Sequence, residues 1–199
     1  MPNVVLSPLS NPKHKSGPPS DQAQSLSAQI LSLILTLAPD LPSSLCIERG
    51  KCVWTLYIDI QFFNYDGNAF DSIWLALTSA LSRTTLPPVQ FNPDLNRGVV
   101  VDGMPIKVAF GGEGTFACSF VGIDEGKYIL IDPDEEEESL ATETVCVVID
   151  QDQRLRYLYK GGIELKRRDI KRCIELAGER AGYLGFIVEE SASKIQMSN

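Results

Sequence analysis

CIERGKCVWTLYIDIQFFNYDGNAFDSIWLALTSAL, residues Cys46 to Leu81, is the stretch on which the fold turns. From Val53 to Phe63 the residues nearly alternate. Trp54, Leu56, Ile58, Ile60 and Phe62 fall on one face, and Thr55, Tyr57, Asp59 and Gln61 on the other. Period two predicts a half-buried strand. Asp66-Gly67 is a turn pair, and Asn68 suits the N-cap of a following helix. Phe70, Ile73, Trp74, Leu77 and Leu81 then recur at helical spacing and form one apolar face. Strand and helix can therefore bury against each other, and both tryptophans lie in this unit.

Upstream, residues 1–19 are rich in Pro, Ser and Asn and predict an extended segment followed by a loop. That loop gathers Lys13, His14 and Lys15 in a chain of formal net charge −8. Spacing alone leaves two readings open, solvated charges or a phosphate contact. A helix follows from Ser20 to Ala38, with Ser20 as N-cap but Ala23 where a capping box wants Glu or Gln. Ala23, Leu26, Ile30, Leu33, Ile34 and Leu37 form its apolar face, Pro39 and Pro42 stop it, and little precedes it to pack on.

Downstream, residues 82–105 are a long connection with Pro87, Pro88, Pro93 and Pro105, and a short strand is expected at 98–101. Strands are predicted at 106–110, 115–123 and 127–131, joined as hairpins by Gly111-Gly112-Glu113-Gly114 and by Asp124-Glu125-Gly126. The acidic run DPDEEEE (132–138) comes next. Strands at 142–149 and 154–159 meet at the turn 150–153, and Lys160-Gly161-Gly162 breaks the pattern. A helix from Glu164 to Glu190 precedes a frayed tail over 191–199. This order is α+β with a mixed sheet, one domain over 1–190 and a flexible tail.

Composition narrows the function. At 199 residues and 44% hydrophobic the chain can bury a core. Its acidity argues against tight free-standing RNA binding, though a local basic patch remains compatible with RNA contact. The five cysteines include no CxxC pair, and the single histidine completes no zinc site of ordinary spacing. Cys118 and Cys146 fall inside predicted strands and read as core. The cysteine usage suits a reducing, intracellular compartment. No secretory h-region and no apolar run of membrane-spanning length is apparent.

Asp132, Asp134, Glu135, Glu136, Glu137, Glu138 and Glu143 follow one another with no base between them. Paired carboxylates can hold Mg²⁺ or share a proton, but such runs are more often solvated loops. The glycine-rich 111–114 segment lacks the helix that a phosphate cradle needs. A nucleophilic triad would have to use His14, the one histidine. The basic run Lys166 to Arg172 is mixed with Glu164 and Asp169 and reads as an exposed, salt-bridged face.

Together, Leu45 to Leu81, the loop NPKHKSGPP (Asn11 to Pro19), the segment ILIDPDEEEESLATETVCVVI (Ile129 to Ile149) and Lys160-Gly161-Gly162 before a long helix resemble the RNase PH domain of the eukaryotic RNA exosome ring. The resemblance covers nearly the whole chain. It implies the α+β RNase PH fold, a mixed sheet with packed helices, without the early strands with which family members begin. It also implies that Lys13, His14 and Lys15 are the loop's RNA-contacting residues. Active members need a phosphate-holding arginine and an aspartate, and at those positions stand Phe70 and Thr144; Glu138 keeps an earlier carboxylate. The implication is a catalytically silent ring subunit with no metal and no cofactor, supporting 3′–5′ RNA processing, including that of ribosomal RNA. Its partners would be other RNase PH-like subunits, cap subunits and RNA in the ring lumen, with no membrane or DNA. Its place would be nucleus, nucleolus and cytoplasm. The rival readings are an active phosphorolytic exoribonuclease using Glu136, Glu137 or Glu138 with Mg²⁺, and an acidic interaction module without an RNA role.

Overall fold

The computed structural model describes residues 2–124, 126–162 and 165–196. The chain divides into two compact units, where the order of elements predicts one domain over 1–190. One comprises Met1–Leu6, Gly17–Gln61 and Ala76–Glu113; the other comprises Ser7–Ser16, Phe62–Leu75 and Gly114–Asn199.

The first unit opens on strand β1 (Pro2–Val5) and helix α1 (Asp21–Leu37). Ser20 caps α1 as its type predicts, its Oγ accepting from the Ala23 N–H at 3.3 Å. Ala23, Ile30, Leu33, Ile34 and Leu37 are buried. The expectation that α1 has little before it to pack on is overturned: β1 lies against it, and the Val4 N–H donates to Ser27 Oγ at 3.1 Å. A short helix α2 (Leu41–Ser44), strands β2 (Cys46–Glu48) and β3 (Cys52–Val53), and strand β4 (Ile58–Gln61) follow. β4 runs parallel to β1, with Ile60 opposite Val4.

The alternation in the deciding stretch is present in full. Trp54, Leu56, Ile58, Ile60 and Phe62 are half-buried and their neighbours exposed. A continuous strand is not. β3 pairs with β2 only as far as Val53, and pairing with β1 starts only at Ile58. Alternation reports an extended chain with one wet side, whereas a strand also needs a partner to bond to.

Helix α3 (Ala69–Arg83) gives its first half to the second unit and the rest to the first. Its predicted face, Phe70, Ile73, Trp74, Leu77 and Leu81, is buried throughout. The long connection after it is structured. β5 (Thr85–Leu86), β6 (Val89–Asn92), β7 (Arg97–Val100) and β8 (Ile106–Lys107) pair as β5–β8 and β6–β7. Asn92 closes the β6–β7 turn by accepting from the N–H groups of Asp94 and Leu95. Because β8 pairs with β5, the glycine turn at 111–114 closes no hairpin. There the chain instead passes from one unit to the other.

In the second unit, β9 (Thr115–Ile123), β10 (Tyr128–Ile131), a short helix α4 (Glu135–Leu140), β11 (Glu143–Asp150), β12 (Leu155–Gly162) and helix α5 (Arg167–Gln196) complete the chain. The strands form one antiparallel sheet in the order β10-β9-β11-β12. Phe116, Cys118, Phe120, Val145, Val147 and Ile149 pack with Cys173, Ala177 and Ala181 of α5. Three small residues on α5 let the helix approach the bulky strand residues closely. The opposite face, with Ala117, Ser119, Val121, Cys146 and Val148, is buried too. On that side Trp74 of α3 donates its Nε1–H to Thr115 Oγ1 at 3.0 Å.

Three local expectations change. The acidic run is not a solvated loop throughout: Asp134 caps a short helix that takes in Glu135 to Glu138. Lys160-Gly161-Gly162 continues β12, because Thr144 and Glu143 of β11 lie opposite the two glycines. Residues 191–196, expected as a frayed tail, continue α5. Glu125 of the predicted turn, Glu164 as helix start and residues 197–199 of the tail lie outside the described residues.

Candidate functional site

The singled-out motifs meet in the second unit, around the turn into α3. Gly67 has φ +80°, and a Cβ there would lie 2.5 Å from the Pro133 carbonyl oxygen and from the Asp134 carbonyl carbon. Only glycine lets the turn press this closely on the start of α4. Asn68, at φ 42°, is also left-handed, a conformation that asparagine tolerates. It is not the accepting N-cap its position predicts. Its Nδ2 donates to Asp71 Oδ2 at 2.9 Å and also to Asp132 Oδ1.

α4 forms because its acids sit at the right end of a helix. Asp134 Oδ1 accepts from the Glu137 N–H at 2.8 Å, and Glu137 Oε2 accepts from the Asp134 N–H at 3.0 Å, a complete capping box. Carboxylates in the first turn also complement the positive end of the helix dipole. The Asp-x-x-Glu spacing was present in the sequence but hidden inside a uniform acidic run.

Two carboxylates of this short helix have opposite fates. Glu135 Oε2 lies 3.0 Å from Lys13 Nζ and accepts from Asn11 Nδ2 at 2.9 Å. The Lys13 contact is the main reason its pKa is lowered. Glu138 Oε1 accepts from the Asn68 N–H at 3.0 Å and Oε2 from the Tyr65 hydroxyl at 3.1 Å. Burial nevertheless raises its pKa; those two bonds oppose the rise, and neighbouring Glu135 and Asp134 add to it. Tyr65 joins the two sides. Its carbonyl accepts from Asn11 Nδ2 at 3.3 Å, and His14 stacks edge-on against its ring with centroids 5.2 Å apart. Lys13, His14 and Glu138 are thus brought together.

The other expected site residues stand apart from that network. Lys15 is exposed, with no ion-pair partner among the described residues. Phe70 is buried on the apolar face of α3. Thr144 is exposed on β11, in register with Val121 and Gly161. Among the described residues no group of three or more His, Cys, Asp or Glu could hold a metal ion.

Sequence reasoning missed a second polar cluster. Asp71, on α3, accepts from Ser119 Oγ at 2.7 Å and from the Ser119 N–H at 3.1 Å. Arg180 Nη2 of α5 lies 3.3 Å from Asp132 Oδ2 and 3.8 Å from Asp71 Oδ2. Burial raises the pKa of Asp71 against the opposing pull of Asn68, Ser119 and Arg180. Asp71, Ser72, Phe116, Asp132 and Arg180 help line a cavity of about 160 Å³. The available signal was an aspartate directly beside Phe70 on an otherwise apolar helix face.

Residues 1–87 match domain 1 of the 3′ exoribonuclease family, RNase PH, and residues 114–180 match domain 2 of the same family. The chain belongs to the RNase PH family. It is 36% identical over 178 residues to the exosome complex component rrp43 of Schizosaccharomyces pombe, covering 89% of this chain and 65% of that protein. It is 28% identical over 190 residues to the exosome complex component Rrp42 of Methanothermobacter thermautotrophicus, covering 95% and 68%. The chain therefore spans about two thirds of the length of these curated relatives. Among solved structures it resembles a chain of the Archaeoglobus fulgidus exosome with RNA bound to the active site. The TM-score is 0.70 at 25% identity, over 92% of this chain and 67% of that one.

Proposed function

We propose that the chain is a non-catalytic RNase PH-like subunit of an RNA exosome ring. It supports 3′–5′ RNA processing and degradation by binding neighbouring subunits and passing RNA. The exosome components among its relatives support the assembly. The observation that carries the silent chemistry is Phe70. It occupies the position that the resemblance gives to the phosphate-holding arginine, and it is a buried core aromatic with 7% exposure. At the aspartate's position Thr144 offers no carboxylate. Glu138 keeps one, but both its oxygens are occupied by Tyr65 and Asn68. Phosphoryl transfer depends on cations that hold the phosphate and its developing charge. Lys13 and Arg180 are each engaged with protein carboxylates. The basic loop with Lys13, His14 and Lys15 meets RNA through its phosphates. Other RNase PH-like subunits and cap subunits are the partners, in nucleus, nucleolus and cytoplasm.

The test mixes the chain with the other ring subunits of its source. Size-exclusion chromatography with mass detection is followed by an assay for phosphate-dependent release of nucleoside diphosphates from RNA. Co-elution without release that depends on this chain is expected. Release by the chain alone would overturn the silent reading, and a monomer that ignores every ring subunit would overturn the assembly.

A further inference from the structure

We propose that α4 holds the basic loop in check, so that Lys13 must exchange Glu135 for a phosphate before the loop can bind RNA. This rests on the reading that the loop contacts RNA, and adds its regulation. The ion pair is built, not casual. Asn11 fixes the loop from inside, its Nδ2 donating to Glu135 Oε2 and the Tyr65 carbonyl and its Oδ1 accepting from the Lys13 N–H at 3.0 Å. That aims Lys13 at the same carboxylate oxygen that Asn11 already holds. His14 packs on Tyr65, whose hydroxyl anchors Glu138 one helical turn along α4. Carboxylate and phosphate compete for one ammonium, because both are charged oxygen acceptors. The side chain of Lys13 is 67% exposed, so a phosphate can reach it, while that of Glu135 is only 23% exposed and stays behind in the fold.

An exposed ion pair is weak enough to be exchanged. Its removal should therefore be read as a modest increase in RNA affinity and not as added stability of the fold. The full chain is titrated against a fluorescein-labelled single-stranded oligoadenylate and followed by anisotropy at several salt concentrations. Glu135→Gln keeps an acceptor for Asn11 and removes the competitor. It should tighten binding roughly 2- to 5-fold. It should also steepen the salt dependence by about 0.7, the increment for one more phosphate neutralised on a single strand. Glu136→Gln removes the same charge from an exposed neighbour and should do less. Lys13→Ala should cost more affinity in the Glu135→Gln background than in the unmodified chain. Should Glu135→Gln fold poorly, Glu135→Asp keeps the charge at the helix start, withdraws it from Lys13, and should also tighten binding. Equal effects of Glu135→Gln and Glu136→Gln would overturn the restraint and leave plain charge repulsion. Lys13→Glu with Lys15→Glu changing nothing in either background would overturn the RNA-contact reading itself.

Discussion

Asp71→Ala is the perturbation that most directly tests how the site is held. β10 ends at Ile131, and Asp132 turns away at φ 58° while still donating its N–H to the Ser119 carbonyl. The Ser119 N–H then has Asp71 as its partner, and the same carboxylate takes the Ser119 hydroxyl and Asn68 Nδ2. Alanine strands buried donors at about 1–3 kcal/mol each and leaves Arg180 with Asp132 alone. Relief of the buried charge offsets part of this. Breaking a buried, hydrogen-bonded charge from one side costs about 3–5 kcal/mol, which is the loss expected here. Asp71→Asn keeps the shape, can accept from the Ser119 N–H and can donate to its hydroxyl, so it should lose about 1 kcal/mol or less. Urea unfolding followed by Trp74 fluorescence, in a Trp54→Phe background, reads the second unit. Both variants should also diverge from the unmodified chain with pH, and in the same sense, since neither carries the titrating carboxyl. The folded pKa of Asp71 is raised above its ordinary 3.8, so between those values the folded state binds more protons than the unfolded one. Stability contributed by Asp71 is then greatest in acid and falls as pH rises through the raised pKa. The stability of Asp71→Asn relative to the unmodified chain should therefore increase with pH from about 3.8 upward. A loss under about 1 kcal/mol for Asp71→Ala would refute the view that this carboxylate is a structural anchor.

Other expectations follow from single contacts. Gly67→Ala meets both a left-handed φ and backbone at 2.5 Å; it should cost about 1–3 kcal/mol from backbone strain alone, read by urea unfolding. Phe70→Ala should cost about 3–5 kcal/mol, read by the same urea unfolding, since the side chain is buried on the apolar face of α3. Among the thiols, Cys46 is exposed and Cys52 half-buried, whereas burial pushes Cys118 up to about 12, Cys173 up to about 11 and Cys146 well above its ordinary value. Mass-spectrometric mapping of alkylation at neutral pH should find Cys46 labelled first and the three buried thiols labelled only in denaturant.

Periodicity and turn residues together located α1, α3 and the strands β9 to β12 to within a few residues. Helical spacing marked the buried faces of the helices, whereas β9 and β11, buried on both faces, were marked by short apolar runs between turn residues. It failed where a partner, not a pattern, decides. Residues 54–57 alternate like a strand, but beyond one bond from the Trp54 N–H to the Leu45 carbonyl the ladder lapses until Ile58, and the supposed loop of 82–105 is organised by the Asn92 turn and the β6–β7 pairing. Spacing placed Phe70 on the buried face of α3, whereas the assignment of Phe70, Glu138 and Thr144 to active-site positions comes from the family resemblance alone. Asp71 gave only a faint signal, since a helix-face pattern treats a charged residue beside the apolar stripe as surface, and Arg180 gave none, since their contact joins positions far apart in sequence. The chemistry of the acidic run was half legible: composition named the carboxylates, but the distinction between a paired Glu135 and a buried Glu138 needed the neighbours.

That distinction bears on what phosphorolysis at this surface would require. Glu135 and Glu138 are one helical turn apart, yet one is held ionised by Lys13 and the other is pushed toward its protonated form by burial. The cations beside these carboxylates are already engaged, Lys13 by Glu135 and Arg180 by Asp71 and Asp132. Placing an arginine at Phe70 would thus bury a guanidinium in the apolar face of α3 beside an already satisfied Asp71, at the cost of an unpaired buried charge. The double change of Phe70→Arg with Thr144→Asp should on these grounds destabilise the second unit and still release no nucleoside diphosphate. Phosphorolysis by that variant would mean that the surrounding hydrogen bonds are far more yielding than their geometry implies.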